Sequence, residues 1–161
     1  MTELYEQAYA TPTVSIGQVL NETKAVYERI ITKTNTSIAI GDVLYWDTDG
    51  FAPATPTIVA AAVKRYKFYI ASEAITAVAA TQYYVRAVRG QGVIVGVKAT
   101  VIAGSGTLNT GVRGCRVTNS ATAGKVILST KPTDVATLLC EVGTLYGNVS
   151  SGDTGYWVVL D

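Results

Sequence analysis

The chain has 161 residues, 16% of them charged, with a net charge of +1 and no histidine. That length suits one ordinary domain, able to bury roughly two thirds of its unfolded surface without a metal or disulfide staple. The near-neutral balance excludes the strong field that nucleic acid or an anionic membrane surface would need. Missing histidine removes the commonest general base, the Ser-His-Asp triad and most transition-metal sites.

Residues 1–20 read as an extended arm, in which Tyr5 and Tyr9 flank polar positions, Pro12 breaks any helix and Val14, Ile16, Val19 and Leu20 form an uneven apolar pattern. The opening Met1-Thr2-Glu3-Leu4-Tyr5-Glu6 is acidic, and no apolar run reaches the roughly eighteen residues of a membrane span, so neither export signal nor anchor is expected. From Ala25 to Lys33 the side chains alternate as in a strand, and Asn35-Thr36-Ser37 supplies a turn. Ile38 to Asp47 is β-rich and runs into Thr48-Asp49-Gly50, a hairpin signal with Phe51-Ala52-Pro53 as the return strand. Strands are expected at 66–72 and 83–89, separated by the Ala-rich stretch Glu73 to Ala80, which reads as two helical turns capped by Ser72. Gly90-Gln91-Gly92 breaks the pattern, and Val93 to Ile102 resumes it.

A second series follows at Val112–Thr118, Lys125–Ser129, Leu138–Thr144 and Tyr156–Leu160. Thr81-Gln82-Tyr83-Tyr84-Val85 returns as Thr154-Gly155-Tyr156-Trp157-Val158, 73 positions later. Gly41 and Gly111 keep a similar separation, as do Tyr69-Ile70 and Glu141-Val142. Self-similarity of this kind indicates a repeated β unit, framed here as 38–97 and 108–160. Many short strands with at most one short helix give an all-β class: a compact β-barrel, β-tulip or sandwich over 21–161, built from two related units behind the arm.

Little in the chain resembles a reaction centre. Asp47-Thr48-Asp49-Gly50 resembles the opening of a calcium loop, but Ile58 stands where the bidentate glutamate belongs, so turn chemistry explains it and no metal is expected. Glu73 and Glu141 would be the carboxylates of a two-acid hydrolase, yet nothing in the sequence brings them together. Gly90-Gln91-Gly92 and Gly104-Ser105-Gly106 lack the phosphate-loop pattern. Cys115 and Cys140 are too few for a disulfide framework and read as buried thiols, and the sequons at Asn21, Asn35 and Asn148 are the chance triplets of a Thr-rich chain. The expectation is no catalytic residue, no cofactor and no enzyme.

Aromatic composition points instead to contact surfaces. Ten tyrosines against two phenylalanines supply area with a polar tip. Tyr5 and Tyr9 are candidate anchors on the arm, with Val14 and Ile16 beside them. Tyr69, Tyr84 and Trp157 are expected to fill the barrel, and Tyr45-Trp46 is a candidate platform for stacking a sugar, with core packing its competing use. Lys64, Arg65 and Lys67 read as a solvated strand edge.

The segments Gly41-Asp42-Val43-Leu44-Tyr45-Trp46-Asp47-Thr48-Asp49-Gly50-Phe51-Ala52-Pro53-Ala54 and Tyr83-Tyr84-Val85-Arg86-Ala87-Val88-Arg89-Gly90 resemble small head-decoration proteins of tailed bacteriophages. There a strand enters through Gly-Asp-x-Val, turns at Asp-Gly and is followed later by a strand ending in Gly. The resemblance spans about 38 to 160 and departs from that family in the longer opening, residues 1–37. It implies a β-barrel or β-tulip with an amino-terminal arm, commonly trimeric, seated on the outer capsid surface of the virion. Its implied partner is the major capsid protein, with no nucleic acid and no membrane. The competing class is a carbohydrate-binding or tail-associated adhesion module using Tyr45 and Trp46.

Overall fold

The computed structural model describes residues 26–89, 91–100, 102, 113–117, 122–129, 135–146 and 154–160. Tyr5, Tyr9, Val14 and Ile16, and with them the expected arm, lie outside the described residues. In chain order the elements are β1 (Val26–Ile31), β2 (Val43–Asp47), β3 (Gly50–Pro53), α1 (Pro56–Ala61), β4 (Tyr69–Ala71), β5 (Tyr84–Arg89), β6 (Gln91–Thr100), β7 (Arg113–Val117), β8 (Val126–Ser129), α2 (Val135–Leu139), β9 (Glu141–Tyr146) and β10 (Thr154–Leu160). The class is all-β, and among the described residues every pairing between these strands is antiparallel.

Two five-stranded sheets carry these strands, in the orders β1-β5-β4-β2-β3 and β6-β10-β9-β7-β8. Counted from its own first strand, each sheet runs first, fifth, fourth, second, third, and each places its helix between the third and fourth strands. The register repeats as well: Ala71 lies opposite Ala87 in one sheet and Gly143 opposite Leu160 in the other, separated by 72 and 73 positions. The units divide between β5 and β6, which differs from the frame 38–97 and 108–160. That frame omitted β1 and assigned β6 to the first unit, because β6 follows β5 after one residue and reads as its continuation.

Strict alternation makes the first sheet buried on both faces. Val43, Tyr45, Ile70 and Val88 join one apolar cluster, which also takes Val117, Val126 and Val142 from the second sheet. Leu44, Ala71, Val85 and Ala87 point the other way, into a cluster with Ile30 and Ile38. The sheet curls until its edges meet at one end, where Thr32 bridges Phe51 and the Lys33 N–H donates to the Phe51 carbonyl at 2.8 Å. That single contact leaves the barrel unclosed. Two open sheets sharing a core describe the molecule.

The hairpin turn is displaced from its expected place. Asp47 pairs with Gly50, so Thr48 and Asp49 form the turn, with Thr48 at φ 50°. Gly50 is there for another reason: a Cβ on it would lie 2.4 Å from the Thr32 carbonyl carbon and oxygen, at the point where the sheet edges meet.

The helix expected over 73–80 is absent, and the two short helices lie elsewhere. Ile75 exchanges both backbone hydrogen bonds with Ile38 at 2.8 Å, Ala77 N–H donates to Ser37 Oγ at 2.9 Å, and Ala80 N–H donates to Asn35 Oδ1 at 2.6 Å. Pairing with the 35–38 turn thus takes the donors a helix would use. α1 begins with a local signature, Thr55 accepting from Ile58 N–H at 3.2 Å and Pro56 in the first turn. α2 falls where the strand 138–144 was expected to begin; five mostly apolar residues carry too little periodicity to separate helix from strand.

A stitched joint holds the two units together. Val43 N–H donates to the Gly124 carbonyl at 2.8 Å, and Gly124 N–H donates to the Ala54 carbonyl at 3.0 Å. Beside them Asp42 accepts from Lys125 Nζ at 2.5 Å on one oxygen and from Ala39 N–H at 2.8 Å on the other. The Asp42 side chain is only 6% exposed, so these partners replace the water it has lost. Gly124 has φ +76°, and a Cβ there would come within 2.8 Å of the Asp42 Cγ. Gly124→Ala is therefore expected to cost about 2–4 kcal/mol. Asp42→Ala should cost about 1–3 kcal/mol, because it removes the acceptor of the Ala39 N–H and of a part-exposed Lys125. Urea unfolding midpoints check both, and the double variant should cost less than the sum, since both act on one contact.

Candidate functional site

Alternation along β2 separates the two residues of the expected platform. Tyr45 is 2% exposed and enters the shared core, where its hydroxyl accepts from Tyr66 N–H at 3.0 Å and its ring lies 4.8 Å from Phe68. Trp46 turns to the opposite face and remains half-buried. It stacks on Tyr66 at 5.5 Å with the planes 23° apart, and meets the Phe51 ring edge-on at 5.5 Å. The edge of Tyr66 packs against Tyr45 at 6.0 Å, and the Lys64 ammonium lies 5.3 Å from the Tyr66 ring centre. Tyr45 and Trp46 therefore do not present two rings to one sugar; packing takes up most of these aromatic faces.

The segment between α1 and β4 has a different character. A half-open cleft of about 250 Å³ is lined by Arg65, Tyr66, Lys67 and Phe68. Lys64, Arg65 and Lys67 are exposed and meet no carboxylate among the described residues. The expected strand edge here is irregular chain, anchored by Tyr66 and Phe68 with the cations left facing water. Its lining has no carboxylate, thiol or serine, and its chemistry is attraction for negative charge. The sequence displayed the cations but not the rings that hold them.

Most other ionisable groups are tied into the scaffold. Glu28 accepts from the Tyr69 hydroxyl at 2.9 Å and from Arg89 at 2.9 and 3.1 Å. The Tyr69 hydrogen bond, and after it the Arg89 guanidinium, hold the Glu28 carboxyl below its usual range against the opposing effect of burial. Burial and Glu28 push the Tyr69 phenol up, and Glu28 raises Arg89. Each group is thus fixed more firmly in the state it already has at neutral pH, which suits an ion pair and not proton transfer.

The acids proposed for chemistry behave similarly. Glu73 accepts from Arg86 N–H at 3.0 Å and sits 3.8 Å from Arg29, whereas Glu141 opens β9 opposite Arg116 in the second sheet. Asp47 binds Lys33 at 2.6 Å and Asp49 binds the Thr34 hydroxyl at 2.6 Å. That hydroxyl, more than the nearby Lys33 charge, lowers the Asp49 pKa. Tyr84, expected inside, is 64% exposed at the opening of β5, on the face that becomes buried only at Val88, while Tyr69 packs edge-on to Phe51 at 5.1 Å. The Trp157 side chain lies outside the described residues. Cys140 is buried in the shared core immediately before β9.

No family model, curated protein or solved structure matches this chain.

The Glu28 cluster has a defined pH signature. Its folded-state pKa lies below the ordinary value of 4.5, so its stabilisation is complete above that value and is lost as pH falls through the lower folded value. Glu28→Gln should cost ~0.5–1 kcal/mol at pH 7, the scale of a partly exposed ion pair. The gap between wild type and variant in urea midpoint should close as pH drops below 4.5.

Proposed function

We propose that this chain is a virion structural protein that decorates and stabilises the outer surface of a tailed-phage capsid by bridging neighbouring capsomers. One observation carries the reading: two copies of a single five-stranded unit share one core and are stitched by the Asp42–Lys125 joint. A duplicated, internally paired scaffold resists deformation and offers surface for contact, as a clamp requires. The sequence resemblance to head-decoration proteins supports the same role.

In this reading the major capsid protein is the partner, and residues 1–20 add a strand to a capsid edge through main-chain hydrogen bonds, with Tyr5, Tyr9, Val14 and Ile16 giving register. A homotrimer engages several shell subunits at once, so weak single contacts combine through effective concentration. The spent faces of Tyr45 and Tyr66 weigh against the sugar-binding alternative.

Cosedimentation with purified capsid shells tests the role. The full chain should pellet with shells, and a variant lacking residues 1–20 should keep its circular dichroism spectrum while remaining in the supernatant. Equal pelleting of the truncated chain would overturn the arm mechanism. Glycan-array binding that is lost in Trp46→Ala would move the assignment to an adhesion module.

A further inference from the structure

The two helices form an unusual surface. α1 reads Pro-Thr-Ile-Val-Ala-Ala and α2 reads Val-Ala-Thr-Leu-Leu, without a charged residue in either. Each covers the same core, α1 through Ile58 and Val59 and α2 through Leu139, and the two helices touch. Helices lying side by side over one core turn their remaining faces to the same side of the molecule. A solvent-facing helix side is normally charged or polar. Here it carries Val135 at 71% exposure and Leu138 at 53%, with Val63 fully exposed where the chain leaves α1.

The next residues are Lys64 and the two cations that line the cleft, Arg65 and Lys67. Arg29, Lys33, Arg89 and Lys125 each meet a carboxylate within the protein, whereas Lys64, Arg65 and Lys67 meet none among the described residues. An apolar centre with an unneutralised basic border is the composition of an interface awaiting its counter-charge.

We propose that the outer faces of α1 and α2, together with Val63 and the border of Lys64, Arg65 and Lys67, form a docking surface for a different protein that presents an apolar patch edged by carboxylates. Charge selects this occupant over a second copy. Among the described residues this surface carries no carboxylate, so self-pairing through it would bring six cations together with none of those residues to neutralise them. A lipid surface fits less well, because helices of five and six residues bury far less than the long amphipathic helices that lie in membranes. The inference rests on the capsid-decorating reading, in which this partner is the shell protein.

The test uses the full chain in shell cosedimentation with three variants: Val63→Glu/Leu138→Glu, Lys64→Glu/Arg65→Glu, and Tyr84→Glu as an exposed control on the first sheet. All substituted side chains are exposed, so thermal unfolding should be unchanged. Wild type and Tyr84→Glu should bind alike, both patch variants should bind at least about tenfold more weakly, and wild-type binding should weaken with salt. Full binding by both patch variants would overturn the docking surface and leave the capsid reading standing. Failure of wild type to bind shells would remove both. Two further results would also overturn the inference: wild-type binding to phosphatidylserine vesicles that Val63→Glu/Leu138→Glu abolishes, and a wild-type dimer in ultracentrifugation that the same variant dissociates.

Discussion

Only 6% of the Asp42 side chain is exposed, and the joint between the two units is built from the partners that its carboxyl group takes in place of water. Lys125 and the Ala39 N–H hold its two oxygens, and Gly124 lies against the carboxylate where no side chain fits. The hydrogen bonds from Val43 and to Ala54 then align the turn before β8 with the entry of β2 and the exit of β3. Apolar contact alone is non-directional and would allow the second sheet to slide across the first. The buried pair and its backbone stitches fix the register.

That joint gives the duplication its physical meaning. Two units of identical strand order bury one common cluster, so neither has to complete a core of its own. The equivalent helices meet over this cluster and cover it with small and aliphatic side chains. The first sheet adds a second cluster on its inner face by curling until Thr32 reaches Phe51. Gly50 permits that approach.

The distribution of charge is uneven in an informative way. Glu28, Asp42, Asp47 and Glu73 each neutralise a cation within the fold, which leaves them little freedom to act on a substrate. Lys64, Arg65 and Lys67 meet no carboxylate among the described residues, nor does the Arg86 guanidinium, which lies over the Tyr27 ring; only the first three follow α1.

Local chemistry determined much of this in the sequence alone. Alternation placed β1 and β5, the Asp49-Gly50 pair announced the β2–β3 hairpin, and the echo of Tyr83-Tyr84-Val85 at Tyr156-Trp157-Val158 signalled the repeat, because each depends on residues near one another in the chain. The Thr55-Pro56 start of α1 is local as well, but the helix was expected at 73–80 instead. Tertiary contact decided the rest. Residues 73–80 have helical composition, but Asn35, Ser37 and Ile38 captured their donors from some forty positions away. Tyr45 and Trp46 are neighbours in the chain yet are sent to opposite faces, and only the fold supplied Tyr66 as the ring that meets both. The Asp42–Lys125 pair spans 83 positions, and no local preference encodes a partner at that distance.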